Sequence, residues 1–134
     1  MALQYSVTLR NNQLDQVEVT TGATAKLLLY SGAVPANCAA ADPSGVLATL
    51  TLPSDWMAAA ASGQKVLSGS WTGTGSGAGN AASFRIKDNA GTTCHLQGQV
   101  TATGSGGDLT LDNVSIAVSQ AITITAFTIS AGNA

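Results

Sequence analysis

The sequence predicts an all-β domain, an antiparallel β-sandwich or jelly-roll-like fold of about seven to eight short strands with one or two short helices. Three observations lead there. Apolar and polar residues alternate with period two in several short runs, glycine-rich turn signals separate those runs, and helical periodicity is minor. The 134 residues make one domain's worth of chain, 1–134, with 1–21 as an N-terminal arm.

From the N-terminus, Thr8 is a candidate cap for a helical segment through Val19, with Asp15 and Glu18 on its exposed face. Its apolar positions, Leu14 and Val17, are too few to define a strong docking face. Residues 26–30 form a continuous apolar run that reads as a central strand buried on both faces. In 46–52, Val46, Ala48, Leu50 and Leu52 share one face, and Leu47, Thr49 and Thr51 the other. A second short helix is expected over 54–61, after Pro53, with Ser54 as N-cap and Gly63 closing it.

Residues 65–71 form another strand, and the low-complexity stretch 72–80 reads as a mobile loop or irregular edge. In 83–87, Phe84 and Ile86 point inward and Arg85 and Lys87 outward. In 94–100, Cys94, Leu96, Gly98 and Val100 point inward and His95, Gln97 and Gln99 outward. Residues 88–91 join these two runs as a hairpin, with Gly91 supplying a positive φ. A strand from Leu109 toward Ile116 follows. The last run, 121–129, switches phase between Ile124 and Phe127, the mark of a bulge or of a strand passing between two sheets.

The composition is 45% hydrophobic and only 9% charged, against about 25% charged for an ordinary soluble domain. The surface is therefore built of hydroxyls, amides, glycine and methyls, which lose less than ions do when water leaves. Such a surface suits a protein packed against other subunits; a low-charge surface without a partner is the plainer alternative. Net charge is −2, and the five basic residues Arg10, Lys26, Lys65, Arg85 and Lys87 are scattered, with only Arg85 and Lys87 close together. A phosphate-neutralising patch is missing, which disfavours nucleic acid. The opening residues carry no basic n-region or apolar h-region, so no cleaved secretory signal is expected. No apolar run reaches the roughly 20 residues needed to span a bilayer.

No constellation points to catalysis, a metal or a cofactor. His95 is the single histidine; no G-x-S-x-G elbow accompanies it, and an exposed surface histidine is the expectation. Cys94 and His95 are adjacent on a strand and face opposite ways, so they cannot chelate together; Cys94 reads as a small core hydrophobe. Cys38 follows Pro35 in a loop and is either an exposed thiol or a partner for Cys94. A reducing compartment favours free thiols, and the bridge stays open as the alternative. Asp42, Asp55, Asp88, Asp108 and Asp112 sit at turns or caps, where local hydrogen bonding accounts for them without a glycosidase pair. Asp108 and Asp112 alternate with apolar residues and make a weak calcium signal. The glycines at 73, 75, 77 and 79 precede a strand and lack a following Lys-Ser/Thr, so no phosphate cradle is expected. Trp56 or Trp71, if exposed, would serve a glycan platform; core packing or subunit contact is the commoner fate.

Several pieces combine in order: residues 26–32 (KLLLYSG), Pro35-Ala36, an Ala/Asp-rich loop, and 45–52 (GVLATLTL). After them come 82–88 (ASFRIKD), a Gly-containing turn, 97–100 (QGQV), 107–111 (GDLTL) and the ending 124–132 (ITAFTISAG). Arg10, Asn11, Leu14 and Asp15 precede them. This arrangement resembles a family of small tailed-bacteriophage virion structural proteins. The resemblance implies a non-enzymatic capsid cement or decoration protein on the outer capsid surface, made in the host bacterial cytoplasm. Such a protein binds the major capsid protein at capsomer junctions and forms a homo-oligomer, a dimer or trimer, without nucleic acid, membrane or cofactor. The chain departs from the pattern at Cys38 and Cys94. Segments 2–21 and 130–134 are the expected arms toward a neighbour. A phage neck or tail component, or a host-surface glycan-binding module, is the alternative.

Overall fold

The computed structural model describes residues 3–133. The β-rich class expected from the sequence is what the chain adopts: one helix and eleven strands lie among the described residues. Helix α1 spans Val7–Thr21, and strands β1 (Lys26–Tyr30), β2 (Val46–Thr51), β3 (Gln64–Val66), β4 (Trp71–Thr74) and β5 (Gly79–Asn80) follow. Then come β6 (Ser83–Lys87), β7 (Cys94–Ala102), β8 (Leu109–Leu111), β9 (Ser115–Ile116), β10 (Ala121–Ile124) and β11 (Thr128–Ser130). The principal sheet has the order β2-β1-β6-β7-β8, and three short pairs, β10-β4, β11-β3 and β5-β9, accompany it. The pairing is antiparallel except at β7-β8, which is parallel, so the sheet is mixed where a purely antiparallel one was expected. No helix among the described residues is long and apolar enough to cross a membrane.

The register of the central strands sorts the side chains onto two faces. Leu27 stands opposite Ile86 and Leu29 opposite Phe84, while Leu96 and Gly98 of β7 oppose Ile86 and Phe84. This face carries the core, on which Trp56, Trp71 and Phe127 stack in tilted and edge-on contacts 5.5–6.0 Å apart. Trp56 and Trp71 are fully buried, each Nε1 donating to a backbone carbonyl, of Gly22 and Trp56 respectively.

Five local expectations are corrected. Ser6, not Thr8, caps α1, accepting from the Leu9 N–H at 3.1 Å. Asp15 and Glu18 are not a free solvent face; both bind buried Lys65, Glu18 largely covered and Asp15 still 43% exposed. The segment 54–61 is not helical. Trp56 and Met57 are both driven into the core, and its backbone donors go elsewhere: Met57 N–H to Glu18, Ala60 N–H to Asp15 and Ala58 N–H to Val66 O. A register shift at Tyr30 puts Leu47 as well as Ala48 inside and leaves Val46 exposed. The stretch 72–80 is not the mobile loop of the two readings but the irregular edge, since it holds most of β4 and all of β5 and bridges to β2 at Ala48 and Gly75. Its glycines permit that approach: a Cβ at Gly73 would stand 2.8 Å from Leu50 Cγ, one at Gly77 2.7 Å from Val46 O, and one at Gly75 would fall onto Ala117 O.

The expected phase switch in 121–129 is a change of partner. Strand β10 pairs with β4, the chain breaks at 125–127, and β11 pairs with β3. In the segments expected as arms, Tyr5 N–H donates to Asn133 O at 2.6 Å, which ties the two to each other, and Ala131 N–H donates to Gly63 O at 3.0 Å. Residues 1, 2 and 134 lie outside the described residues.

Candidate functional site

Among the described residues, the second face of the sheet brings together charged, amide and thiol side chains. Strand β6 is the middle of five, and all five of its residues are buried. Arg85 and Lys87 are therefore not outward in solvent as the alternation predicts, but 2% and 5% exposed. Period two gave their face correctly; what it could not show is that residues 31–45 fold back over that face. The loop is closed at its base by Ser31 N–H to Gly45 O and Gly32 N–H to Ser44 O, and Ser83 Oγ donates to Gly32 O. Within it, Asn37 Oδ1 accepts from the N–H groups of Ala39 and Ala40, fixing a local turn.

Asp42 closes the cluster. Its Oδ1 accepts from Arg85 Nη1 at 2.9 Å and its Oδ2 from Lys87 Nζ at 2.7 Å. Arg85 Nη2 also donates to Asn37 O at 3.1 Å and to Gln97 Oε1 at 3.0 Å, and Gln97 Nε2 donates to Pro35 O at 2.8 Å. The hydrogen bond from Lys87, reinforced by both cations, holds the Asp42 carboxyl below its ordinary range against the opposing effect of burial. Tyr30 lies beside this group. Burial, then the negative charge of Asp42, pushes its phenol up to about 12. Its hydroxyl feels that charge without making a hydrogen bond of good geometry, and Arg85 Nε is likewise buried without an acceptor.

The two cysteines belong to this face as well, which corrects the placement of Cys94 in the core. The register of β6 and β7 shifts between Ile86 and Lys87, so that Leu96 opposes Ile86 but Cys94 opposes Lys87. The extra residue turns Cys94 to the loop side, where its Sγ donates to Leu96 O at 3.3 Å. Cys38 and Cys94 are free, both half-buried, and line one cleft of roughly 570 Å³ with Asp42, Arg85, Lys87 and Thr93. Burial pushes the Cys94 thiol up to about 12; its hydrogen bond with the Cys38 thiol adds to the rise, and the charges of Arg85 and Lys87 oppose it.

A second cluster docks α1. Lys65 Nζ, 2% exposed, lies 2.9 Å from Asp15 and 3.2 Å from Glu18 and donates to Ala58 O at 3.0 Å. Burial alone would lower the Lys65 ammonium, but the bonds to Asp15 and Glu18 outweigh it and set it above its ordinary value.

The remaining singled-out residues do not converge. His95 is half-buried against α1, beside Gln16 and Val17, on the opposite side from Cys94. Asp88 accepts from the N–H groups of Thr92 and Thr93 in the hairpin turn, where Gly91 has φ +73° as expected. Asp108 accepts from Gln99 N–H and Asp112 from Thr103 Oγ1, while Asp55 is exposed. Among the described residues, no group of three or more His, Cys, Asp or Glu is placed to hold a metal ion. Tyr30, Asp42, Gln97 and the Lys65 cluster escaped the sequence reading; the one signal for the first cluster was that Arg85 and Lys87 are the only close-set basic pair. Comparison with protein-family models, with curated proteins and with solved structures finds no match for this chain.

Proposed function

We propose that this chain is a non-enzymatic structural subunit of a tailed-phage virion, a capsid cement or decoration protein on the outer shell. It binds the major capsid protein at capsomer junctions as a homo-oligomer, a dimer or trimer, after synthesis in the bacterial cytoplasm. The family resemblance suggests this reading, and one observation carries its physics: half of the few charges pair with each other, and the three cations among them are buried. Of the twelve charged side chains, Lys65, Asp15, Glu18, Arg85, Lys87 and Asp42 are committed to two ion-pair clusters. Outside them stand only Arg10, Lys26 and four aspartates, with Lys26 Nζ bonded to Thr51. The surface left over is hydroxyl, amide, methyl and backbone, with apolar side chains such as Leu3, Val19 and Val118 in solvent. Covering it strips few ions of water, which is what a permanent seam between subunits requires. In the same reading the short strand pairs form a second layer over the principal sheet, giving the sandwich of jelly-roll kind.

The glycan-binding alternative needs an exposed aromatic platform, and Trp56 and Trp71 are buried with their indole N–H groups bonded inside. The test is to mix the purified chain with expanded shells assembled from tailed-phage major capsid protein. The mixture is then sized and sedimented. Co-migration at a saturating, symmetry-related copy number, little weakened by added salt, is expected. A chain that stays free of shells overturns the capsid reading, and binding to isolated tails in its place moves it to the neck or tail.

A further inference from the structure

We infer that Cys38 and Cys94 form a built redox site, in which a peroxide-class oxidant joins the two sulfurs and locks the 31–45 loop onto the sheet. The two thiols come from parts of the chain far apart in sequence, and separate features bring each to the same cleft. Cys94 faces the loop only because of the register shift beside Lys87. Cys38 follows Asn37, whose carbonyl is held by Arg85 Nη2 and whose side chain caps the turn through Ala39 and Ala40. Asp42, on the far side of Cys38, is held by Arg85 and Lys87. The loop is thus tied to β6 on both sides of Cys38, and Cys94 is the cross-strand neighbour of Lys87. Both thiols line one open cleft, where small oxidants and reductants can enter, and Cys94 Sγ donates to Leu96 O at 3.3 Å. A disulfide there removes two protons and two electrons, the electrons going to the oxidant, and links two side chains that already line the same cleft.

The chemistry balances with hydrogen peroxide. The Cys38 thiolate attacks one peroxide oxygen, the O–O bond breaks, and a sulfenic acid and hydroxide result. Cys94, held protonated by burial until then, is the resolving thiol. It loses its proton to that hydroxide, attacks the Cys38 sulfur and expels hydroxide, which takes the second proton. Two thiols and one peroxide give one disulfide and two waters; sulfur is oxidised and oxygen reduced. The charges of Arg85 and Lys87 favour the Cys94 thiolate in the second step. The product closes a ring from residue 38 to residue 94, a long loop of the kind whose cross-linking most restricts the unfolded chain. This inference stands apart from the capsid reading. Combined with it, the site is reduced in the bacterial cytoplasm and closes when the particle reaches an oxidising medium.

The full chain, reduced and freed of reductant, is treated with a small excess of hydrogen peroxide and followed by intact mass, thiol alkylation and peptide mapping. The expected result is loss of two hydrogens, disappearance of both alkylatable thiols, and a peptide joining Cys38 to Cys94 in a monomer. The thermal midpoint should rise by about 10 °C and return on adding dithiothreitol. Cys38→Ser and Cys94→Ser, read in parallel, should show neither the bridge nor the reversible rise. Persistence of both thiols under conditions that oxidise free cysteine overturns the site, as do intermolecular dimers or sulfinic acid without the linked peptide. A bridge that forms with no change in midpoint overturns the locking of the loop.

Discussion

Asp42 Oδ2 stands 2.7 Å from Lys87 Nζ, a carboxylate 45% exposed set over an ammonium that is 6% exposed. The same carboxylate binds Arg85, so one surface anion compensates two buried cations. Removing the anion is therefore worse than removing either cation. Asp42→Ala should destabilise the protein by about 2–3 kcal/mol, less than the loss of a fully buried partner because water screens the exposed carboxylate. Lys87→Met should cost less than half of that, since Asp42 keeps Arg85 and the methionine stem fills the same space. Urea denaturation of both variants measures the difference, and equal losses would contradict the asymmetry.

Acid should act through the same groups. Asp42 is lowered by its bond from Lys87, Asp15 by its bond from Lys65, and Asp88 by the N–H groups of its turn. Each carboxylate binds its proton less readily in the folded chain than in the unfolded one. The stability they contribute is fully present above the ordinary value of 3.8 and is lost as pH falls through the lowered folded values. Unfolding free energy should stay flat from neutrality to about pH 5 and fall below pH 4. Asp42→Asn, with Asp15→Asn beside it, should flatten that limb in a pH series of urea titrations.

Helix α1 is held by polar docking, and Lys65 is its anchor. Without Lys65, Glu18 and Asp15 face each other beside the core with no cation between them. Lys65→Ala should destabilise by about 2–4 kcal/mol and raise amide exchange across Val7–Thr21 before the principal sheet loosens. Simultaneous loss of protection in α1 and β6 would show that the helix is not a separate unit.

What the sequence made legible follows from what each interaction depends on. Strand existence and the inward faces of Phe84, Ile86, Leu50 and Val100 follow from local alternation, and all four are buried. The phase switch before Phe127 gave the change of strand partner. Three features were hidden because they depend on segments distant in the chain. Arg85 and Lys87 are buried by a loop some forty residues earlier. Cys94 is turned by a single-residue shift that leaves no compositional mark. The helix docks through Asp15 and Glu18, which on an apolar scale look like its exposed side.

Glycine in the 72–80 stretch is required by contact and not by flexibility. Gly75→Ala should destabilise by about 2–3 kcal/mol, because the new methyl meets the Ala117 carbonyl and backbone has to move. Gly132→Ala, with open space around it and no positive φ, should stay within about 0.5 kcal/mol. Chemical denaturation of the pair distinguishes the two roles; equal effects would mean that the 72–80 stretch is the loose loop its composition suggests.

Tyr30 and Cys94 share the alkaline limb, since burial raises the thiol from 9.0 to about 12 as well, and its contribution begins to be lost above pH 9. Burial, then the charge of Asp42, raises the Tyr30 phenol from 10.0 to about 12, so the folded chain holds that proton more tightly than the unfolded one. Its contribution is fully present below pH 10 and is lost as pH rises from 10 through about 12; Lys65, also raised, acts in the same direction. Tyr30→Phe removes the ionisation together with a buried hydroxyl that has no hydrogen-bond partner. At neutral pH the variant should be as stable as the parent or more stable by about 1 kcal/mol, because the desolvated hydroxyl is lost and the ring is kept. Between pH 10 and 12 its advantage should grow, and tyrosinate absorbance in the parent should titrate late and together with unfolding. A Tyr30 phenol that ionises near pH 10 would place its hydroxyl in water and remove it from the cluster.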